Sequence, residues 1–246
     1  MNLAWIPNSL TMGNLLLGFI SVVVASQNSF QAYSIAGFLI LGAALLDGFD
    51  GPVARALKVS SRLGAELDSL ADCIAFGVAP GYLAYKAYLS GICFPGVTLP
   101  LLGTPLDFGI FIASLFPICA AYRLARFNVN SDPNSFSGLP SPAAGVVMAL
   151  VPVSFGAIIH SELIYKMIFA VFYIITALLM VSTVRYAKPK PSFITNLNRI
   201  KLLVFIVGII LLLIFFKKLS VFIVIALYIL SGIYSFIIQF IQDHRY

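Results

Sequence analysis

Long apolar runs separated by short polar breaks organise this chain. Stretches close to the ~20 residues that a helix needs to cross a hydrocarbon core fall at 10–27, 30–57, 63–89, 106–127, 140–160, 162–184, 200–216 and 218–240. The separators are Ser26-Gln27-Asn28-Ser29, the Gly/Pro-rich 91–105, the polar 128–142 and the Lys/Pro cluster from Arg185 to Pro191. Only Lys217 and Lys218 part the last two runs. In lipid every backbone N–H and C=O must be satisfied within the protein, so such runs close on themselves as helices. The pattern predicts an all-α, polytopic integral membrane helix bundle of about eight transmembrane helices. No internal repeat of fixed period divides it, so 1–246 reads as a single membrane-embedded domain.

Composition agrees: 61% of residues are hydrophobic and 10% charged, with a mean hydropathy of +1.02, against roughly one-quarter charged in a soluble domain. The N-terminal stretch lacks a basic n-region and a small-residue cleavage site, so the first segment is expected to be retained. The net charge of +6 is not a nucleic-acid signature, because no basic run is interleaved with aromatics in a soluble segment. Orientation accounts for it. With the N-terminus in the cytoplasm, Lys58, Arg62, Arg123, Arg126, Arg185, Lys188, Lys190, Arg199, Lys201 and Arg245 lie at cytoplasmic ends, and Lys86, Lys166, Lys217 and Lys218 outside. The expected location is therefore the cell membrane, multi-pass. Cys73, Cys93 and Cys119 lack any C-x-x-C spacing and read as small apolar fillers.

Against this background, residues 47–72 stand out: Asp47, Asp50, Glu66, Asp68 and Asp72, with Arg55, Lys58 and Arg62, hold more than half of the nine acidic residues. Ionisable groups within membrane segments are costly and mark working sites. Asp47 and Asp50 are three apart and Asp68 and Asp72 four apart, so each pair shares one helix face. A polar turn around Ser60-Ser61-Arg62 folds one helix back on the next, and the orientation above puts the cluster toward the cytoplasm. Converging carboxylates repel, so a cation is expected between them. All the ligands are hard oxygens, which suits Mg²⁺ or Mn²⁺, with two ions accommodated, and disfavours zinc. Magnesium completes its shell with phosphate oxygens, so the partner is expected to be a di- or triphosphate ester. Gly51 and Gly64 leave room for a ligand, and Gly48 and Ala54 suit close packing or ligand approach alike. Arg55, like Lys58 and Arg62, serves either phosphate or the interface. Ser60 and Ser61 are candidate phosphate donors, and Glu66 lies off the aspartate stripe.

Asp47-x-x-Asp50-Gly51-x-x-Ala54-Arg55, eight residues, Gly64, three residues, Asp68, three residues, Asp72 resembles the complete signature of the CDP-alcohol phosphatidyltransferases. The resemblance implies a CDP-linked lipid held by metal, with cytidine near the motif glycines. It implies attack by an alcohol on the phosphorus nearer the lipid, with CMP leaving. The first three aspartates are then metal ligands. The fourth, Asp72, is implied as the general base, and a metal-linked or partly desolvated aspartate near the hydroxyl suits that role.

Further segments are similar to the phosphatidylserine-synthase branch of that family: Pro7 to Asn14, Asp68 to Pro80, Arg123 to Asn128 and Phe136 to Gly145. The similarity covers most of 7–145. It implies L-serine as acceptor and CDP-diacylglycerol, or its ether counterpart CDP-archaeol, as donor. Serine carries a carboxylate, which Arg123 or Arg126 can clamp bidentately; glycerol 3-phosphate or inositol phosphate would want arginines too, and both residues also suit helix-end anchoring. Asn8, Thr11 and Asn14 share a face of the first helix that can reach the cytidine or the polar cavity; Asn8 and Thr11 fit capping better, and the deeper Asn14 fits the polar cavity beside the CDP-lipid. Small-residue helix faces suit a homodimer within the membrane lipids. A divalent-cation transporter is the rival class, expected instead to hold its ligands near the bilayer midplane.

Overall fold

The computed structural model describes residues 3–98, 105–129, 135–161, 163–182 and 185–187. Six of the expected crossings lie within them. The first two are α1 (Trp5–Ala25) and α2 (Phe30–Ala56). The third runs unbroken through α3 (Arg62–Cys73), a π-helical turn (Ile74–Val78), α4 (Ala79–Ala84) and a second π-helical turn (Tyr85–Leu89). The other three are α5 (Gly109–Val129), α6 (Ser141–Ser161) and α7 (Leu163–Val181). The runs at 200–216 and 218–240 fall outside the described residues. By length and composition alone, α1, α2, α5 and α7 each qualify as membrane-crossing. The third crossing, which carries Asp68 and Asp72, and α6 do not.

Two connections contain short antiparallel pairs, β1 (Cys93–Thr98) with β2 (Pro105–Asp107) and β3 (Ser135–Ser137) with β4 (Arg185–Ala187). The polar breaks read as plain connectors thus pair part of their backbone, which spares those amides from remaining unmatched. The bundle itself is all-α.

The first helix starts earlier than its apolar run, at Trp5. Pro7 is tolerated in the first turn, where an N–H would have no partner anyway. Ala4 is the N-cap and makes no side-chain bond, so Asn8 and Thr11 lie inside the helix and do not cap it. The reversal between α2 and α3 is tight. Lys58 takes a positive φ of 55°, and Ser61 caps α3 by accepting a 3.0 Å bond from the Gly64 amide.

Small residues let the helices approach. Gly18 of α1 lies so near α3's extension that an added Cβ would stand 2.7 Å from Ala75 Cα, and Ser21 donates to the Ala36 carbonyl across α1 and α2 at 3.0 Å. Pro117 within α5 leaves the Ala113 carbonyl without its helical donor. The Tyr173 hydroxyl of α7 fills that vacancy at 2.7 Å. Tyr173 also packs against Phe116 and Phe169, in a core otherwise dominated by alanine.

Candidate active site

The α2–α3 reversal brings the two aspartate pairs together. One carboxylate oxygen from each of Asp47, Asp50 and Asp68 lies within 4.8 Å of the others. Asp50 is buried and the other two are half-buried. Unit charges ~4 Å apart repel by about 4 kcal/mol at an effective dielectric near 20. Asp68 Oδ1 is buried with no hydrogen-bond partner, an orphaned acceptor facing neighbours of its own charge. Hard, oxygen-only and under-satisfied, this donor set fits a divalent cation such as Mg²⁺ or Mn²⁺.

Asp72 belongs to the same acidic patch but is placed differently. It lies within hydrogen-bond reach of Asp47 and close enough to Arg123 to feel its charge, and its Oδ1 accepts a 3.3 Å bond from Asn14 Nδ2. The sequence placed all four carboxylates in one metal site, with Asp72 also as the base; the folded chain gathers three around one point and sets the fourth against Asp47, beside Asn14 and Arg123. The reason is axial rise: one further turn along α3 carries Asp72 about 6 Å beyond Asp68, past the reversal and toward α1 and α5.

Beside the triad opens a cleft of about 170 Å³, lined by both arms of the reversal and by α1. Gly51, Ala54, Arg55, Ser60, Ser61 and Gly64 all border it, together with Asp50 and Asp68. The seventh residue expected at the CDP-lipid, Asn14, does not. It is fully buried beneath Asp72, its Oδ1 unpartnered. The cleft is tight at Gly64, where a Cβ would stand 3.2 Å from both Asn8 Oδ1 and Ser61 Oγ. A Cβ on Gly48, by contrast, would meet nothing within 4 Å, so close packing does not account for that glycine.

Three residues at this site have roles the sequence reading did not commit to. Asn8 and Pro7 line the cleft. Thr11, buried, donates to Asp50 Oδ2 at 2.8 Å. The signal was available in the pattern: Pro7, Thr11, Asn14, Gly18, Ser21 and Ala25 form the buried face of α1, a polar and small stripe at helical spacing that runs against the membrane-facing Leu16, Phe19 and Val23.

The two arginines part company. Arg123 is buried and donates to Ser141 Oγ at 2.7 Å, at the start of α6. Arg126, three residues on, turns to the end of α7, where it donates to the Val181 carbonyl at 2.8 Å and the Ser182 carbonyl at 3.2 Å. Its guanidinium also lies 5.9 Å from the Tyr122 ring centroid. Arg126 thus satisfies carbonyls that α7 leaves open. Asn128 and Ser69 bond each other between α5 and α3.

The described residues thus form a helical membrane bundle with an acidic, oxygen-only centre beside a cleft, an arrangement that suits metal-assisted chemistry on phosphate esters. The family model for CDP-alcohol phosphatidyltransferases matches residues 4–172, and the chain belongs to that family. It is accordingly a transferase of phospholipid synthesis. Three curated relatives all carry the name CDP-diacylglycerol–serine O-phosphatidyltransferase. That of Helicobacter pylori (strain 26695) is 38% identical over 183 residues, covering 73% of this chain and 70% of its own. That of Methanocaldococcus jannaschii is 33% identical over 204 residues, covering 83% and 84%. That of Bacillus subtilis is 35% identical over 156 residues, covering 63% and 79%.

Proposed function

We propose that the protein transfers the phosphatidyl group of CDP-diacylglycerol, or of an ether CDP-lipid such as CDP-archaeol, to L-serine, forming phosphatidylserine and releasing CMP. The observation that carries this reading is the convergence of Asp47, Asp50 and Asp68 on one point beside a cleft bordered by Arg55, Ser60 and Ser61. The names of relatives that align over most of their length support serine as acceptor.

Asp47, Asp50 and Asp68 would hold Mg²⁺ or Mn²⁺, as one ion or two. Bound there, the metal supplies positive charge that offsets what builds on the transferred phosphoryl group and on CMP. Gly51, Ala54 and Gly64 leave space in the cleft for the nucleotide, and Arg55 with Ser60 and Ser61 donates to its phosphates. Arg123, held by Ser141, receives the serine carboxylate. Asp72 takes the proton of the serine hydroxyl as that oxygen bonds to the lipid-side phosphorus. The bond from this phosphorus to the bridging oxygen breaks, and CMP leaves with the electron pair. Asn14 donates to Asp72 Oδ1, which holds the base by that oxygen. With positive charge at the same ends as the acidic centre, the site faces the cytoplasm of the cell membrane, and small-residue helix faces suit a homodimer.

The deciding experiment supplies purified protein with CDP-diacylglycerol or CDP-archaeol, Mg²⁺ or Mn²⁺, and labelled serine, glycerol 3-phosphate or inositol phosphate. Serine-dependent CMP release with label entering the lipid is expected. Release driven by a phosphorylated acceptor would move the protein to another branch of its family. Cation uptake into proteoliposomes without any CDP-lipid would remove the transferase reading.

A further inference from the structure

We propose that Thr11 is a positioning residue for the acidic centre. From α1 its hydroxyl fixes the Asp50 carboxylate so that the remaining oxygen lone pairs face a divalent cation. The inference rests on the reading of Asp47, Asp50 and Asp68 as that cation's ligands.

Thr11 is 4% exposed, and its Oγ1 lies 2.8 Å from Asp50 Oδ2 and 3.1 Å from the Pro7 carbonyl. A hydroxyl has one proton for these two acceptors. Helical threonine ordinarily returns that proton to its own preceding turn. Here the carboxylate is the nearer acceptor and the charged one, and charge-assisted bonds are roughly twice as strong as neutral ones, so the proton goes across to α2. A β-branched side chain in a helix has few χ1 choices, so the α1 backbone itself sets where the hydroxyl stands. That backbone is in turn seated by the close approach of Gly18 to Ala75.

Asp50 needs such a fix. Two residues on, Pro52 removes the helical donor for the Gly48 carbonyl, so α2 lacks one rung of its own ladder beside the aspartate. Thr11 supplies restraint from a different helix, and it engages only Oδ2. Asp50 therefore enters the triad with one oxygen tethered and its other oxygen available for coordination. Donors of this kind to ligating carboxylates commonly govern metal affinity by 10–100-fold.

The test is Mn²⁺ binding to the purified full-length protein in detergent, without substrate, read from the electron paramagnetic resonance signal of free Mn²⁺. Thr11→Val keeps the shape and removes the hydroxyl, and Thr11→Ala removes it with less bulk. Each is expected to weaken Mn²⁺ binding by about 10–100-fold, while Thr11→Ser, which restores the donor, recovers most of the affinity. Ser21→Ala is the comparison, because it deletes another buried hydroxyl bond of the same α1 face, far along the helix from the aspartates, and should bind Mn²⁺ as wild type does. Wild-type affinity in Thr11→Val or Thr11→Ala alongside a loss in Asp50→Asn would overturn the proposal. So would a loss in Ser21→Ala as large as that in Thr11→Val, which would reduce the effect to general packing. If Asp50→Asn itself binds Mn²⁺ like wild type, the ligand reading fails first and the positioning role falls with it.

Discussion

Asp47, Asp50 and Asp68 share one point and Asp72 does not, and that difference at single residues predicts different phenotypes. Asp47→Asn, Asp50→Asn or Asp68→Asn removes a hard anionic ligand, so each is expected to abolish turnover and weaken metal binding together. Asp72→Asn should retain CDP-lipid binding while CMP release is lost, since a general base acts chiefly in the transition state. Equilibrium binding of a labelled CDP-lipid, run beside turnover, separates the two classes. The arginines divide in the same way. Arg123→Lys loses the planar fork and should raise the serine KM by the equivalent of about 1–3 kcal/mol, with the CDP-lipid KM little changed. Arg126→Lys should leave serine KM alone and lower thermal stability, because its bonds go to the end of α7. The reverse pattern would reassign the clamp.

Between elements, the bundle depends on backbones that approach closely and on side chains that repair helices broken by proline. Gly18→Ala would push a methyl to within 2.7 Å of the Ala75 backbone, where nothing flexible can yield. Overpacking of this kind costs about 1–3 kcal/mol, and because α1 carries Thr11 and Asn14 the displacement should also reduce turnover. Tyr173→Phe leaves the Ala113 carbonyl without a donor next to Pro117, at a cost of about 1–3 kcal/mol for an unsatisfied buried acceptor. This site is remote from the aspartates, so Tyr173→Phe should melt at lower temperature with KM values unchanged. Thermal denaturation and steady-state kinetics on both variants make the comparison. A Tyr173→Phe protein as stable as wild type would mean that another donor reaches Ala113.

For the whole molecule, the proposed cytoplasmic orientation would make the reaction sided, with Lys58, Arg62, Arg123 and Arg126 among the described residues at helix ends on the side of the acidic centre. In sealed inverted membrane vesicles, where the cytoplasmic face is outermost, added EDTA should stop CMP release and excess Mg²⁺ or Mn²⁺ should restore it. Right-side-out vesicles should be insensitive to the same chelator until they are permeabilised. Equal sensitivity in both preparations would contradict a cytoplasmic site.

The amino-acid sequence by itself determined the all-α membrane bundle and the six crossings within the described residues to within a few residues at most ends, and it singled out the aspartates that the fold brings together. These are local consequences: an apolar run in lipid must pair its own backbone, and intramembrane carboxylates are kept only for use. The residue spacing was also enough to assign the family. What the tertiary structure decided is which of those residues meet. Thr11 looked like a cap and holds Asp50. Asn14 looked like a nucleotide contact and lies beneath Asp72. Arg123 and Arg126 looked like a pair, yet one turns toward Asp72 and the other toward α7. Helical periodicity says which residues of one helix share a face. It does not give the rotation and axial offset of one helix against the next. Those follow from long-range contacts, such as Gly18 on Ala75 and Tyr173 on Ala113, between residues distant in the chain.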